Sequence, residues 1–338
     1  MLIHATKPFE SGNLEQALAE YLRSIKSARK IKDDDMQAHI YQKIGTVYMD
    51  LNKIDGAIYA YNKALNIVKD NSTSTVRGGV MHDIARAYFY KGSIDESIVA
   101  FTSALKYFKD TDNPLGFNGA LFELGRALVA KEEYSSALSA FEKCRIYSEA
   151  SGDLSAYAKS LHEIGTIFSQ QGKPRSALPL FKRTLSIEES VGSPSDLVVT
   201  LNKLAITYLS LNFFKKSRRC IDRSLGLTKT LQGNRSIKAN TYEVLAAICL
   251  IEKNEQEALT ALHLALGYYN EPGEKAKYAL TSCLIAHILF NNFEDVEGSL
   301  KYFKESFEIL DELDHPMKAE IGKRIVFIEC KKLLDSAR

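Results

Sequence analysis

The chain of 338 residues has no CxxC pair, no apolar run of membrane-spanning length, no Gly-rich phosphate loop and almost no net charge. Each absence excludes something. Its five cysteines, Cys144, Cys220, Cys249, Cys283 and Cys330, lack the close spacing of a zinc site or a disulfide framework. They read as free thiols packed as small hydrophobes in a reducing, cytoplasmic setting. The longest apolar run, Val244 to Ile251, is far too short to cross a bilayer. The opening Met-Leu-Ile-His-Ala-Thr-Lys-Pro carries no apolar core, so no secretory signal is expected. With 44 basic against 42 acidic residues, a net charge of +2 makes no electrostatic case for nucleic acid or a membrane surface. Gly, Pro and Ser are nowhere concentrated into a linker, and one domain spanning 1–335 is expected.

What the chain has instead is a period. Ile44-Gly45, Ile84-Ala85, Leu124-Gly125, Ile164-Gly165, Leu204-Ala205, Leu245-Ala246 and Ile285-Ala286 follow one another at steps of 40, 40, 40, 40, 41 and 40. Repeats of this length signal stacked supersecondary units rather than one closed core. With the aligned pair at positions 7 and 8, position 11 is large (Tyr48, Tyr88, Leu128, Phe168, Tyr208). Position 20 is small throughout (Ala57, Ser97, Ala137, Ala177, Ser217, Ala258), and position 24 is large again (Tyr61, Phe101, Phe141, Phe181, Ile221, Leu262). Positions 7, 8 and 11 share one face of a first helix, and 20, 24 and 27 one face of a second. Asn52, Gly92, Gly172 and Asn212 at position 15 suit the left-handed turn that ends a helix. Turn residues such as Asp70-Asn71-Ser72, Asp112-Asn113-Pro114 and Glu271-Pro272-Gly273 separate the units.

The pattern Ile44-Gly45-x-x-Tyr48 followed by Ala57-x-x-x-Tyr61-x-x-Ala64 resembles the tetratricopeptide repeat, and Leu124-Gly125, Ala137 and Phe141 repeat it. The resemblance covers roughly 13 to 335. It implies an all-α, right-handed solenoid of helical hairpins with a partial unit at 1–31, tandem repeats over 34–314 and a capping helix at 317–335. Two departures stand out. The unit is 40 residues rather than the usual 34, similar to peptide-pheromone receptors and spindle-orientation adaptors, and tryptophan, common at position 4, is absent.

The array frays at its ends. Residues 13–31 read as a second helix whose partner would come from 1–9, where Pro8 breaks the pattern. That end is either an irregular cap or an exposed surface through which the chain self-associates. Asn291-Asn292-Phe293-Glu294 carries one extra residue, which moves Ser299 and Phe303 one step late. Ile321, Ile325 and Ile328 give the last helix one apolar side.

In the geometry the resemblance implies, first helices line a concave groove through positions 2, 5, 6, 9 and 12. Those positions are polar early: His39, Gln42, Lys43 and Thr46, then His82, Asp83 and Arg86, then Glu123 and Arg126, then Lys159, His162, Glu163 and Thr166. Later ones turn apolar around Asn202: Val199, Ile206 and Leu209, then Val244 and Leu250, then Leu280, Leu284 and Phe290. Such a groove suits a peptide or protein segment. Asp83–Arg86 and Glu123–Arg126, each three apart on a helix, read as surface ion pairs worth about 0.2–0.5 kcal/mol. Alternatively, Arg86 and Arg126, roughly 8–10 Å apart on stacked helices, form a ladder for acidic or carbonyl groups.

No catalytic constellation is present, and no cofactor or metal is expected. His82 and His162 share a register but stand two units apart, about 20 Å by the same helix spacing. Cys283 and His287 are an i, i+4 pair without further ligands. Gly116 and Gly119 lack the strand context of a phosphate loop. The run Lys215-Lys216-Ser-Arg218-Arg219 with Arg223 reads as a solvated outer face or a contact for an acidic partner, and the acidic stretch Glu294 to Asp314 is its possible head-to-tail mate. The expected function is a non-enzymatic binding scaffold or adaptor, with a peptide-responsive regulator as the alternative.

Overall fold

A computed structural model describes residues 14–31, 33–68, 75–270 and 272–336. The partner helix sought in residues 1–9, the Asp70-Asn71-Ser72 turn and Glu271 lie outside the described residues. Every regular element among them is helical, and none is a strand. The chain divides into two compact units, Met1–Ile167 and Phe168–Arg338.

The first unit holds α1 (Leu14–Ile31), α2 (Asp34–Asp50), α3 (Ile54–Ile67), α4 (Thr75–Lys91), α5 (Ile94–Asp110), α6 (Pro114–Ala130), α7 (Tyr134–Ser151) and most of α8 (Leu154–Gln170). Pairs α2/α3, α4/α5 and α6/α7 are the hairpins, with α1 packed on α2, and first helices adjoin in the order α2, α4, α6. The second unit holds α9 (Pro174–Val191), α10 (Pro194–Ser210), α11 (Phe214–Thr228), α12 (Arg235–Ile251), α13 (Glu255–Tyr269), α14 (Lys275–Asn292), α15 (Val296–Glu312) and α16 (Lys318–Ser336). Here α10/α11, α12/α13 and α14/α15 pair, and α16 covers α15.

The small–large alternation read at positions 8, 20 and 24 is the packing code of each hairpin. Ala57, Ser97, Ala137, Ala177, Ser217, Ala258 and Ser299 are all 0% exposed, as are Phe101, Phe141, Phe181 and Phe303. Each such ring contributes about 2–3 kcal/mol of burial. Where position 20 is serine, its hydroxyl is not an unpaired polar group. Ser97 Oγ donates to the Ala85 carbonyl at 2.9 Å and Ser217 Oγ to that of Ala205 at 2.8 Å, both twelve residues back. Ser299 makes the same bond to Ala286 thirteen residues back, at 2.9 Å. The Asp295 amide likewise reaches six residues back to Leu289, where the Asn254 amide reaches five, to Cys249. The extra residue read at 291–294 is therefore absorbed in the turn.

The turns of these six hairpins, and the turn between α8 and α9, each place one residue in the left-handed region. Asn52, Gly92, Gly172 and Asn212 carry it as the sequence implies, and so do Glu132 (φ 63°), Lys253 (φ 58°) and Glu294 (φ 55°), which gave no such signal. Between units, side chains cap the new helices. Asn113 Oδ1 accepts from the Gly116 amide, Asp153 Oδ1 from Ala156 and Ser193 Oγ from Asp196.

Candidate functional site

Within the first unit, first helices α4, α6 and α8, with α7 behind them, line an open pocket of about 290 Å³. Helix spacing puts His82 and Arg86 one turn apart on α4, Phe122 and Glu123 on α6, and Lys159 on α8. Its floor is Gly119, where an added β-carbon would meet nothing within 4 Å. A helical glycine with open space above it lets a ligand approach the backbone. Four residues from the predicted polar groove, His82, Arg86, Glu123 and Lys159, thus converge on one cavity.

The polar partners differ from the pairing read along each helix. Glu123 and Arg126 do form their ion pair, at 3.0 Å, and the Arg126 guanidinium sits 5.4 Å from the Phe89 ring. Asp83 does not pair with Arg86. It accepts instead from Gln42 Nε2 on the neighbouring first helix at 2.6 Å, with His82 Nδ1 at 3.7 Å. The reason is proximity across the stack. Gly79 leaves room there, since its β-carbon would stand 3.4 Å from the same Gln42 nitrogen. Arg86 is exposed and makes no ion pair among the described residues, as is true of Lys159. The pocket therefore presents two uncommitted cations beside one neutralised carboxylate. His39 and Lys43 stand exposed on α2, and His162 and Glu163 are half-buried on α8.

In the second unit the apolar reading holds only in part. Ile206, Leu250 and Leu284 are exposed on α10, α12 and α14, and Leu209 is half-buried. Asn202 is a correction: it is 2% exposed, so its side chain lies inside the packing and not on an open groove face. Its Nδ2 donates to Thr241 Oγ1 at 3.0 Å, and Ser224 Oγ donates to its Oδ1 at 2.7 Å. Val244 is likewise buried, at 4%. The cause is a polar seam between neighbouring repeats that the register reading missed. Glu243 continues it, accepting from Tyr269 Oη at 2.9 Å and Thr281 Oγ1 at 2.6 Å. Glu188 is buried nearby with Thr184 and Thr200. Burial holds its carboxyl up to about 7, the Thr200 hydroxyl opposes this, and Asp196 adds to it.

Two residues of the basic run on α11 are paired. Arg218 pairs with Asp222, Glu252 and Glu257 at 3.0–3.2 Å, and Arg223 with Glu189 at 2.6 Å. Burial pushes the thiols up, Cys144 to about 12 and Cys249 and Cys283 to about 11, which favours their protonated form. Among the described residues, no group of three or more His, Cys, Asp or Glu is placed to hold a metal ion. None of the described helices is long and apolar enough to cross a membrane.

Known structures share this arrangement of hairpins. The apo form of the quorum sensor NprR from B. thuringiensis superposes with a TM-score of 0.70 at 16% identity, over 91% of this chain and 86% of that one. A tetratricopeptide repeat protein from Parabacteroides merdae gives 0.60 at 17%, over 83% and 96%. The fold is that of a tetratricopeptide-type helical repeat. The apo form of RapI is similar as well (TM-score 0.65, 18% identity, 82% of this chain and 99% of that one). A family model described as soluble NSF attachment protein, SNAP, matches residues 1–157. No curated protein matches the sequence.

Proposed function

We propose that this protein is a non-enzymatic binding scaffold that holds a polypeptide segment against the exposed faces of its first helices. The observation that carries the reading is the pocket over Gly119, where Arg86 and Lys159 stand without anionic partners beside His82 and Phe122. Two free cations at a backbone-floored cavity fit an acidic side chain of an extended peptide. Ile206, Leu250 and Leu284 offer apolar contacts in the other unit. Five free cysteines fit a cytoplasmic setting.

The test begins with a displayed library of random peptides selected on the whole chain. Selected peptides should be enriched in Asp and Glu, and their affinity should fall at least tenfold in the Arg86→Ala/Lys159→Ala variant, measured by fluorescence anisotropy. Binding that the double variant leaves unchanged removes the pocket from the account.

A second reading, a peptide-responsive regulator, is favoured by the likeness to a quorum sensor over nine-tenths of this chain. It requires a selected peptide to change the dimensions of the chain in small-angle scattering. A scaffold would bind the same peptide without that change.

A further inference from the structure

At the other end of the chain, α14, α15 and α16 enclose a second cavity of about 300 Å³. Its floor is apolar, formed by Phe303 (0% exposed), Ile321 (2%) and Cys283 (5%), with Phe327 as a wall. Its rim carries His287, Lys323 and Arg324 against a single carboxylate, Glu320.

Arg324 is held in an uncommon way. Its guanidinium lies 5.3 Å from the Phe290 ring and 5.5 Å from that of Phe327, beside two rings that meet each other edge-on at 6.4 Å. Cation–π contacts of this kind restrain the group. Glu320 stands four residues earlier, the spacing at which a Glu–Arg pair forms on a helix. Yet Arg324 makes no ion pair among the described residues. Its Nε is buried without a hydrogen-bond partner, and Nη2 reaches only Asn291 Oδ1, at 3.4 Å. With that one long bond the Nη groups keep donors to spare at the rim, where Lys323 adds a second cation against the single Glu320. The His287 ring meets Phe303 edge-on at 4.9 Å, and desolvation, with Arg324 beside it, holds its pKa below the ordinary value. Lys331 adds a further cation 4.9 Å from the Phe290 ring.

We propose that this cavity is a binding site for a carboxylate attached to a large apolar group. The carboxylate accepts from the Nη groups of Arg324, and the apolar group fills the space over Phe303 and Ile321. Water occupies about 30 Å³ per molecule in the liquid, so the space equals roughly ten waters, or one aromatic or long aliphatic group with its carboxylate. Such a ligand has two sources, an apolar residue of a polypeptide bearing a free carboxylate and a fatty acid. The site stands on its own geometry and does not depend on the pocket over Gly119.

The test uses the full chain labelled at its methionine methyls, with Met317, which lines the cavity, as reporter. The probes are N-acetylphenylalanine and decanoate, each compared with its neutral amide. At least one acid should shift the Met317 signal saturably, its amide should bind at least tenfold more weakly, and Arg324→Gln should abolish the difference between them. A response to N-acetylphenylalanine alone assigns the site to a polypeptide residue, and to decanoate alone to an acyl chain. Equal binding of acid and amide to the unaltered chain, or no saturable shift with either acid up to its solubility limit, overturns the proposal whatever the variant does.

Discussion

Phe141 lies so close to the backbone of Gly125 that a β-carbon there would stand 2.7 Å from the ring. Gly119, on the same helix, has nothing within 4 Å of that position. Two glycines of one helix therefore have opposite meanings. Gly125→Ala should lower stability by about 1–3 kcal/mol through overpacking. Gly119→Ala should raise it by about 1 kcal/mol, the helix-propensity difference. Denaturant melts of the two variants decide the matter, and similar effects at both sites would remove the close approach from the account.

The left-handed turns offer a second comparison. Glu132 and Lys253 pay a steric cost in that conformation which Gly92 and Gly172 avoid. Glu132→Gly and Lys253→Gly should each stabilise the chain by about 1 kcal/mol, while Gly172→Ala should destabilise it by a similar amount. Thermal unfolding of the three variants measures this.

Glu188 makes stability depend on pH. Its folded pKa of about 7 lies above the ordinary 4.5. The folded state therefore holds its proton more tightly than the unfolded chain does. The contribution is fully present below about pH 4.5 and is lost as pH rises through about 7. With solvent screening allowed for, the loss is on the order of 1–3 kcal/mol. Glu188→Gln should be more stable than the parent at pH 8 and close to it at pH 5. A parent-like pH profile in that variant would show that other groups set the dependence.

Asn202→Ala should cost about 1–3 kcal/mol, because Ser224 and Thr241 lose a buried partner. It should leave the affinity of selected peptides unchanged once compared at temperatures where both proteins are folded. Loss of binding without loss of stability would return Asn202 to the ligand surface.

The hairpins were legible because position 8, 20 and 24 side chains meet one another inside a single repeat, so spacing alone reports their contacts. The one-residue insertion before Ser299 was readable for the same reason. Partners across the stack were not. Asp83 turns to Gln42 rather than to Arg86, and Asn202 to Thr241, because residues about 40 apart become neighbours only when repeats pack. The pocket floor was overlooked although a signal existed: Gly119 occupies position 2 of its unit, where His39 and Lys159 stand in others. The contact of Arg324 with Phe290 and Phe327 joins α14 to α16, and no repeat register predicts it.

The central claim is that a polypeptide lies over Gly119. Gly119→Leu fills that space from a β-carbon that meets nothing within 4 Å, so the variant should melt at or above the parent's temperature. Fluorescence anisotropy with the peptides selected on the parent should then show at least a tenfold loss of affinity. Parent-like affinity in a fully folded Gly119→Leu protein would contradict the account directly.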